Sequence, residues 1–542
     1  MSITMSGASA LQNEINNAFW ADKNLPELTI DIVVTQSTPT KTDGFTLNAS
    51  RLGTIVSATI GTSEESSIRY ALNALLKWIK SANTSISLDD GPDFSLRGVV
   101  EGFYGKAWSH QQRLRGLKLF GDFNMNTYFM APKDVPWQRF NWRAAFDSEF
   151  LDLTHELILA GRLNAIDIAV CVSPGLSVKY SDQEDVLAVV RRYKQLFDLG
   201  ARHFGLLWDD IAWELSHPED IDTYVSTATA HADFTNRVWA ELVKLDSRTS
   251  LTVCPMHYSG RGNEPYLQEI GRQLHSRINL MWTGRSICSE YLDISDAVIF
   301  ERTTMRPPLY WDNFPVNDGS MQKNLFIGPV RGREVGLQKY SVGLLSNPML
   351  QFEMSQFPLF TIGDYLWNST DYDADLSWER SLVHLIANEK DRLALRSFMR
   401  TSMGTVVGGD PAPDLRAIFR VGVTAWRAGE LERSGDVFIS AGQEMIENHT
   451  YLNSPSFSRP EMILEISQWL EKYLIGAEVL VGLGHVLKSC GFDAKKGAIT
   501  GGQMQIAELG ALIESLQAHR KNLFGDQIEG PINELMAELA SF

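Results

Sequence analysis

FGLLWDDI, residues 204–211, carries an apolar run from Phe204 to Trp208 directly into two adjacent carboxylates, Asp209 and Asp210. A short apolar run of this kind reads as a buried strand. Like charges side by side repel, and burying them costs free energy. The segment has seven companions: LRGVVEGF (96–103), NTYFMAP (126–132), AIDIAVCVSP (165–174), LTVCPMHY (251–258), INLMWTG (278–284), PLYWDN (308–313) and VGLLSNP (342–348). Helical stretches such as SHQQRLRGLKLFGDF (109–123) and DVLAVVRRYKQLFDLG (185–200) lie between them. Strand–helix alternation argues for a parallel sheet. Eight such units between about 95 and 370 match a (β/α)8 TIM barrel. An open doubly wound sheet is the runner-up, but no GxGxxG follows the first strand and no P-loop is present.

Polar residues gather at the C-terminal ends of these strands: Glu101, Lys133, Asp209 with Asp210, Tyr258, Thr283, Asp312 with Asn313, and Asn347. Barrel enzymes build their sites on that rim. Any one of these residues also suits a helix cap or a turn.

Outside the barrel the pattern changes. ELTIDIVV (27–34) and the amphipathic EESSIRYALNALLKWIKS (64–81) suggest a small N-terminal α/β domain over 1–92. The barrel is expected over 93–372, and a C-terminal helical bundle over 373–542. Helices with large apolar faces there suit either a bundle core or a homodimer interface.

Composition narrows the class. A formal net charge of −17 over 542 residues argues against a nucleic-acid partner. No uncharged apolar stretch is long enough for a membrane span. The first residues lack a basic n-region and an apolar h-region, so no secretory leader is expected and the location reads as cytoplasmic. The four cysteines, Cys171, Cys254, Cys288 and Cys490, form no metal-binding spacing and read as reduced core thiols.

From the acid pair alone, three readings stand: Asp210 as a helix cap, a hard-metal site, or an acid–base pair. Retaining glycosidases with a carboxylate nucleophile hold two carboxyls about 5–5.5 Å apart, and inverting ones about 6.5–9.5 Å. Adjacent positions suit neither comfortably. They do suit a reaction whose nucleophile is the substrate's own acetamido oxygen. One carboxylate then orients the amide N–H, and the other protonates the leaving oxygen and later activates water.

Taken together, RGVVEGFYGKAWS, MNTYFMAPKD, FGLLWDDI, WTG, WDNFPVND, GPVRGR, LSNPM and GDYLWN, in this order over about 97–368, resemble glycoside hydrolase family 84, the O-GlcNAcase and β-N-acetylglucosaminidase family. The resemblance implies a barrel catalytic domain, substrate-assisted retaining hydrolysis and no metal or other cofactor. Its implied substrate is β-linked N-acetylglucosamine on protein or glycan. It makes Asp209 the residue that orients the acetamido group, and Asp210 the general acid and then base. It places Gly102, Lys133, Tyr258, Thr283, Trp311, Asn313, Asp318 and Asn347 around the sugar. By residue chemistry alone, Lys133 suits a salt bridge to Asp134, and Thr283 suits a strand-end turn.

The sequence departs from the family pattern in places. Met256-His257 precedes Tyr258 where Thr-Glu is usual, Val135 follows Asp134 where a second acid is usual, and Trp208 replaces a smaller or different aromatic residue. His257 invites reading as a base, but strand alternation points it away from Tyr258. These changes bear on the leaving-group side. Two other classes remain: a carbohydrate-binding or scaffolding protein on a barrel, and a metal-dependent hydrolase.

Overall fold

The computed structural model describes every residue except 22, 24, 26, 490, 494–497, 501–502 and 541–542. The N-terminal sheet consists of β1 (Ser2–Ser6), β2 (Thr29–Gln36), β3 (Phe45–Leu52), β4 (Ile55–Thr62) and β5 (Ser85–Asp90), in the order β1-β2-β4-β3-β5. Strict alternation in β2 turns Ile30, Ile32 and Val34 inward. Helices Ala10–Trp20 and Ile68–Ile79 contribute Ile15, Phe19, Leu72 and Leu75 to the same core. The first starts at Ser9, whose side chain and that of Gln12 form a reciprocal capping box.

Eight parallel strands then close a barrel in sequential order: β6 (Leu96–Glu101), β7 (Thr127–Met130), β8 (Asp167–Val172), β9 (His203–Leu207), β10 (Ser250–Cys254), β11 (Asn279–Trp282), β12 (Leu309–Asp312) and β13 (Gly343–Ser346). β13 pairs with β6 to complete the ring. All eight expected strands form. β7, β12 and β13 are buried along their whole length, because side chains inside face the barrel core and those outside face the helices. Val100, Phe129, Ala169, Cys171, Leu207, Met281, Leu309 and Leu345 fill the barrel interior. One expectation needs correction: β8 ends in Val172-Ser173-Pro174 and brings none of the polar residues read along the rim.

The sheet and barrel join at Arg97, which is fully buried. Its guanidinium donates to the carbonyls of Phe94, Ser95 and Asn124 and reaches Asp43 at 2.7 Å. It also lies over the rings of Tyr70 and Trp367. With its polar atoms bonded and its plane covered, a charge at this depth is stable.

A second compact unit comprises Pro315–Arg331, Gln351–Thr361 and the chain from Ala374 onward. Its long helices Leu431–Leu452 and Pro460–Ser489 meet at glycines. A Cβ on Gly435 would lie 2.6 Å from the Gly484 carbonyl oxygen, and one on Gly442 2.5 Å from that of Ala477. YLIGAEVLVGLGHVL, read as a core helix despite Glu478, buries Tyr473, Leu480, Leu483 and Leu487, while Glu478 is exposed. The stretch DLRAIFRVGVTAWRAGELERSGDVFI breaks into two helices at Gly429, which adopts a left-handed φ of 79°. No helix among the described residues is long and apolar enough to cross a membrane. Cys171 and Cys254 are buried free thiols and Cys288 is half-buried, while Cys490 lies outside the described residues.

Within this unit the Glu465 carboxylate accepts the backbone N–H of Glu353 at 2.8 Å. Glu353 in turn pairs with Arg459 at 3.1 Å. Burial, and then the charge of Glu353, push Glu465 up to about 8. The folded protein therefore keeps a proton that the unfolded chain releases near pH 4.5. The stability this gives is full below that pH and is lost as pH rises through about 8. Glu465→Gln should flatten the fall in Tm between pH 5 and 9, which calorimetry across that range measures.

Candidate active site

The acid pair sits just beyond β9. The strand ends at Leu207, and Trp208 extends the pairing by donating its N–H to the Cys254 carbonyl at 2.9 Å. Asp210 then adopts a left-handed φ of 55°, a conformation Asp tolerates better than most residues. The two side chains end in different surroundings. Asp209 is buried at 5% exposure, whereas Asp210 is exposed.

Lys133 meets Asp209 rather than its neighbour Asp134. The buried Lys133 ammonium contacts Asp209 Oδ2 and lies 5.1 Å from the Trp311 ring centre. Asp134 instead accepts the Gly105 N–H at 2.7 Å. The other oxygen, Asp209 Oδ1, is buried without a hydrogen-bond partner among the described residues. Such an orphan acceptor carries a desolvation penalty that a ligand N–H relieves.

Asp210 receives two phenols. Tyr258 donates to Oδ1 and Tyr104 to Oδ2, each at 2.8 Å. Arg139 donates to the Tyr104 hydroxyl at 2.7 Å and to the Asp210 carbonyl at 3.0 Å. Desolvation first, and then Asp210, hold both phenols well above their usual range. They stay protonated donors across neutral pH. The sequence reading missed Tyr104 and Arg139. Tyr104 lies in the quoted EGFYG motif, two residues past Gly102, but nothing in the sequence brings Arg139 to it.

Gly102, Trp311, Asn313 and Asn347 form a connected wall. A Cβ on Gly102 would lie 2.1 Å from Trp311 Cζ2, so only glycine fits against the indole. Asn347 Oδ1 accepts the Gly102 N–H at 3.1 Å, and Asn347 Nδ2 donates to Asn313 Oδ1 at 2.8 Å. That same Asn313 oxygen accepts Trp311 Nε1 at 2.9 Å, and Asn313 Nδ2 donates to the Ile287 carbonyl. The Thr283 hydroxyl donates to the Ser286 carbonyl at 2.7 Å, fixing the turn after β11. Asp318 belongs to the other compact unit, where it is half-buried at the start of the one-turn helix Gly319–Met321.

Two rim acids have other work. Glu101 is fully buried and takes a bidentate pair from Arg113. Asp312 takes a bidentate pair from Arg333. Arg331 pairs with Asp375 at 2.5 Å, so both arginines of GPVRGR make structural ion pairs. His257 packs edge-on against Trp213, 4.8 Å between ring centres, and faces Tyr266.

This arrangement pairs a buried carboxylate holding one open acceptor with an exposed carboxylate gripped by phenols. It suits orientation of an amide beside proton transfer at a neighbouring oxygen. An ammonium on Asp209 and neutral phenols on Asp210 form a poor donor set for a hard cation, which takes oxygen anions, carbonyls and water. No cluster of three or more His, Cys, Asp or Glu converges among the described residues.

The family model described as beta-N-acetylglucosaminidase matches residues 97–400. The Protein O-GlcNAcases of Rattus norvegicus and Mus musculus are each 30% identical over 307 residues, 56% of this chain. The chain covers 32% of the length of each of these relatives. A mutant of the Thermobaculum terrenum O-GlcNAc hydrolase superposes with a TM-score of 0.75 at 28% identity, covering 83% of this chain and 96% of that one. CpGH84B shares the fold with a TM-score of 0.82 at 24% identity, covering 98% of this chain and 96% of that one.

The close contact at Gly102 gives a direct check. Gly102→Ala must displace Trp311, and a shift of about 1 Å in a site wall costs on the order of 10²-fold. We expect kcat/KM on an aryl N-acetyl-β-glucosaminide to fall by about that factor. Circular dichroism should show the fold intact.

Proposed function

The chain belongs to the β-N-acetylglucosaminidase family, and we propose that it is a retaining exo-β-N-acetylglucosaminidase that uses the substrate's acetamido group as nucleophile and removes O-GlcNAc from Ser and Thr of proteins. The observation that carries this reading is the open, buried Oδ1 of Asp209 beside the exposed Asp210. The names of the rat and mouse relatives support the protein substrate.

In this scheme the sugar lies against Trp311 with its 2-acetamido group over Asp209. The amide N–H donates to Asp209 Oδ1, while Lys133 balances the carboxylate charge on Oδ2. The acetamido oxygen attacks C1 as the C1–O bond to the aglycone breaks. Asp210 gives its proton to the departing oxygen, which leaves as the alcohol. A bicyclic oxazoline forms, its positive charge offset by Asp209, to which the amide proton shifts.

Water then attacks C1 from the face the aglycone vacated, giving its proton to Asp210, while Asp209 returns its proton to the nitrogen as the ring reopens to the acetamide. Two inversions at C1 restore the β configuration. In this scheme Tyr258 holds Asp210 Oδ1 and stabilises the oxazoline oxygen, and Tyr104 with Arg139 keeps Asp210 on the leaving-group side; the 2.8 Å bonds of both phenols to Asp210 support these roles. Asn313 and Asn347 each have a second amide hydrogen for sugar hydroxyls. Thr283 acts as a wall residue.

Asp210→Asn should reduce kcat/KM by about 10³-fold on 4-methoxyphenyl N-acetyl-β-glucosaminide, whose leaving group needs a proton. On the 2,4-dinitrophenyl substrate, whose leaving group does not, the loss should stay within about tenfold. Equal losses would remove Asp210 as the acid.

A matching glucoside with a 2-hydroxyl should not be hydrolysed, and turnover of it would exclude the acetamido nucleophile. Release of GlcNAc from a glycosylated protein, set against release from a chitooligosaccharide, tests the aglycone. Activity confined to the oligosaccharide would overturn the protein reading.

A further inference from the structure

Behind the acid pair lies a buried cluster that the proposed chemistry does not use. His231, on the helix Thr227–Leu245, is fully buried. Its imidazole stacks on the indole of Trp208, with centres 4.9 Å apart and planes 7° from parallel. Trp208 Nε1 donates to Thr235 Oγ1 at 3.3 Å, and Thr235 Oγ1 donates to the His231 carbonyl at 2.6 Å. One turn of this helix therefore holds Trp208 by its face and by its nitrogen.

The ring nitrogens of His231 reach two hydroxyls. Nδ1 lies 2.7 Å from Tyr266 Oη and Nε2 2.9 Å from Tyr180 Oη. A neutral imidazole has one donor and one acceptor, and a hydroxyl can complement either. Tyr266 Oη also accepts the Met256 N–H at 3.3 Å. His231 is thus tied to the segment after β9 through Trp208 and to the segment after β10 through Tyr266. Asp210 lies two residues beyond Trp208, and Tyr258 two beyond Met256. These are the residues that meet at 2.8 Å in the site.

We infer that His231 is a positioning residue for hydrolysis: through Trp208 and Tyr266 it fixes the separation of Asp210 from Tyr258. The inference rests on the reading of Asp210 as acid and base. Burial holds the imidazole down to about 3, so it stays neutral wherever the enzyme works near neutral pH. The clamp then acts by shape and hydrogen bonding rather than by charge. A loosened clamp lets Asp210 drift from the leaving oxygen, and that harms substrates in proportion to their need for protonation.

The test compares His231→Phe, which keeps a flat ring against Trp208 but removes both hydrogen bonds, with wild type at equal folded concentration. Tyr266→Phe, which removes only one hydroxyl, serves if the first variant does not fold. On 4-methoxyphenyl N-acetyl-β-glucosaminide we expect kcat/KM to fall about tenfold more than on the 2,4-dinitrophenyl substrate. In a Tyr258→Phe background the same substitution should add little, since the pair it spaces is already broken.

Equal slowing on both substrates, no slowing, or full multiplication of the two effects would overturn the inference. If Asp210→Asn itself slows both substrates equally, the acid assignment falls and this inference falls with it. If Asp210→Asn behaves as expected and His231→Phe does not, only the inference fails.

Discussion

Two carboxylates can stand side by side here because a buried ammonium faces one of them. Lys133 and Asp209 are both almost fully excluded from solvent and in contact. Removing one partner of such a pair strands the other charge, typically at a cost of about 3–5 kcal/mol. The pair supplies the counter-charge at Asp209, and the left-handed turn at Asp210 carries the second acid out to the exposed side. One residue step thus yields two environments for the same amino acid.

The barrel makes this possible by bringing distant segments to one rim. Lys133 follows β7, Asp209 follows β9, and Trp311 comes from β12, yet Lys133 touches Asp209 and lies over Trp311. The wall is stiff because its polar atoms are used on one another. Asn313 Oδ1 takes both Trp311 Nε1 and Asn347 Nδ2, so the indole, both amides and the Gly102 backbone move together or not at all. Preorganisation of this kind lowers the reorganisation needed when a substrate arrives.

The periodic features were legible from residues alone. All eight barrel strands announce themselves as short apolar runs, seven of them lead into the polar residues read along the rim, and the acid pair stands at the end of one. What alternation could not tell was the side taken by each polar residue. Glu101 and Asp312 read as rim groups, but they form ion pairs with Arg113 and Arg333 instead. Lys133 next to Asp134 invited a local pair, whereas the barrel's curvature presents it to Asp209. Tyr104 and Arg139 escaped notice because their link to Asp210 exists only in three dimensions.

The departures from the family pattern also become coherent in space. Trp208, Met256 and His257 look like three unrelated substitutions along the chain. Trp208 stacks on His231, the Met256 N–H bonds the Tyr266 hydroxyl, and the His257 ring faces Tyr266 and Trp213. All three border one buried cluster between the barrel strands and the helices that follow them. A large indole at position 208 needs a flat partner and a hydrogen-bond acceptor behind it, and His231 and Thr235 provide them. Close packing makes such changes interdependent, because a core of this density accepts a bulky ring only with matched neighbours. These three residues are not among those that build the connected wall of Gly102, Trp311, Asn313 and Asn347.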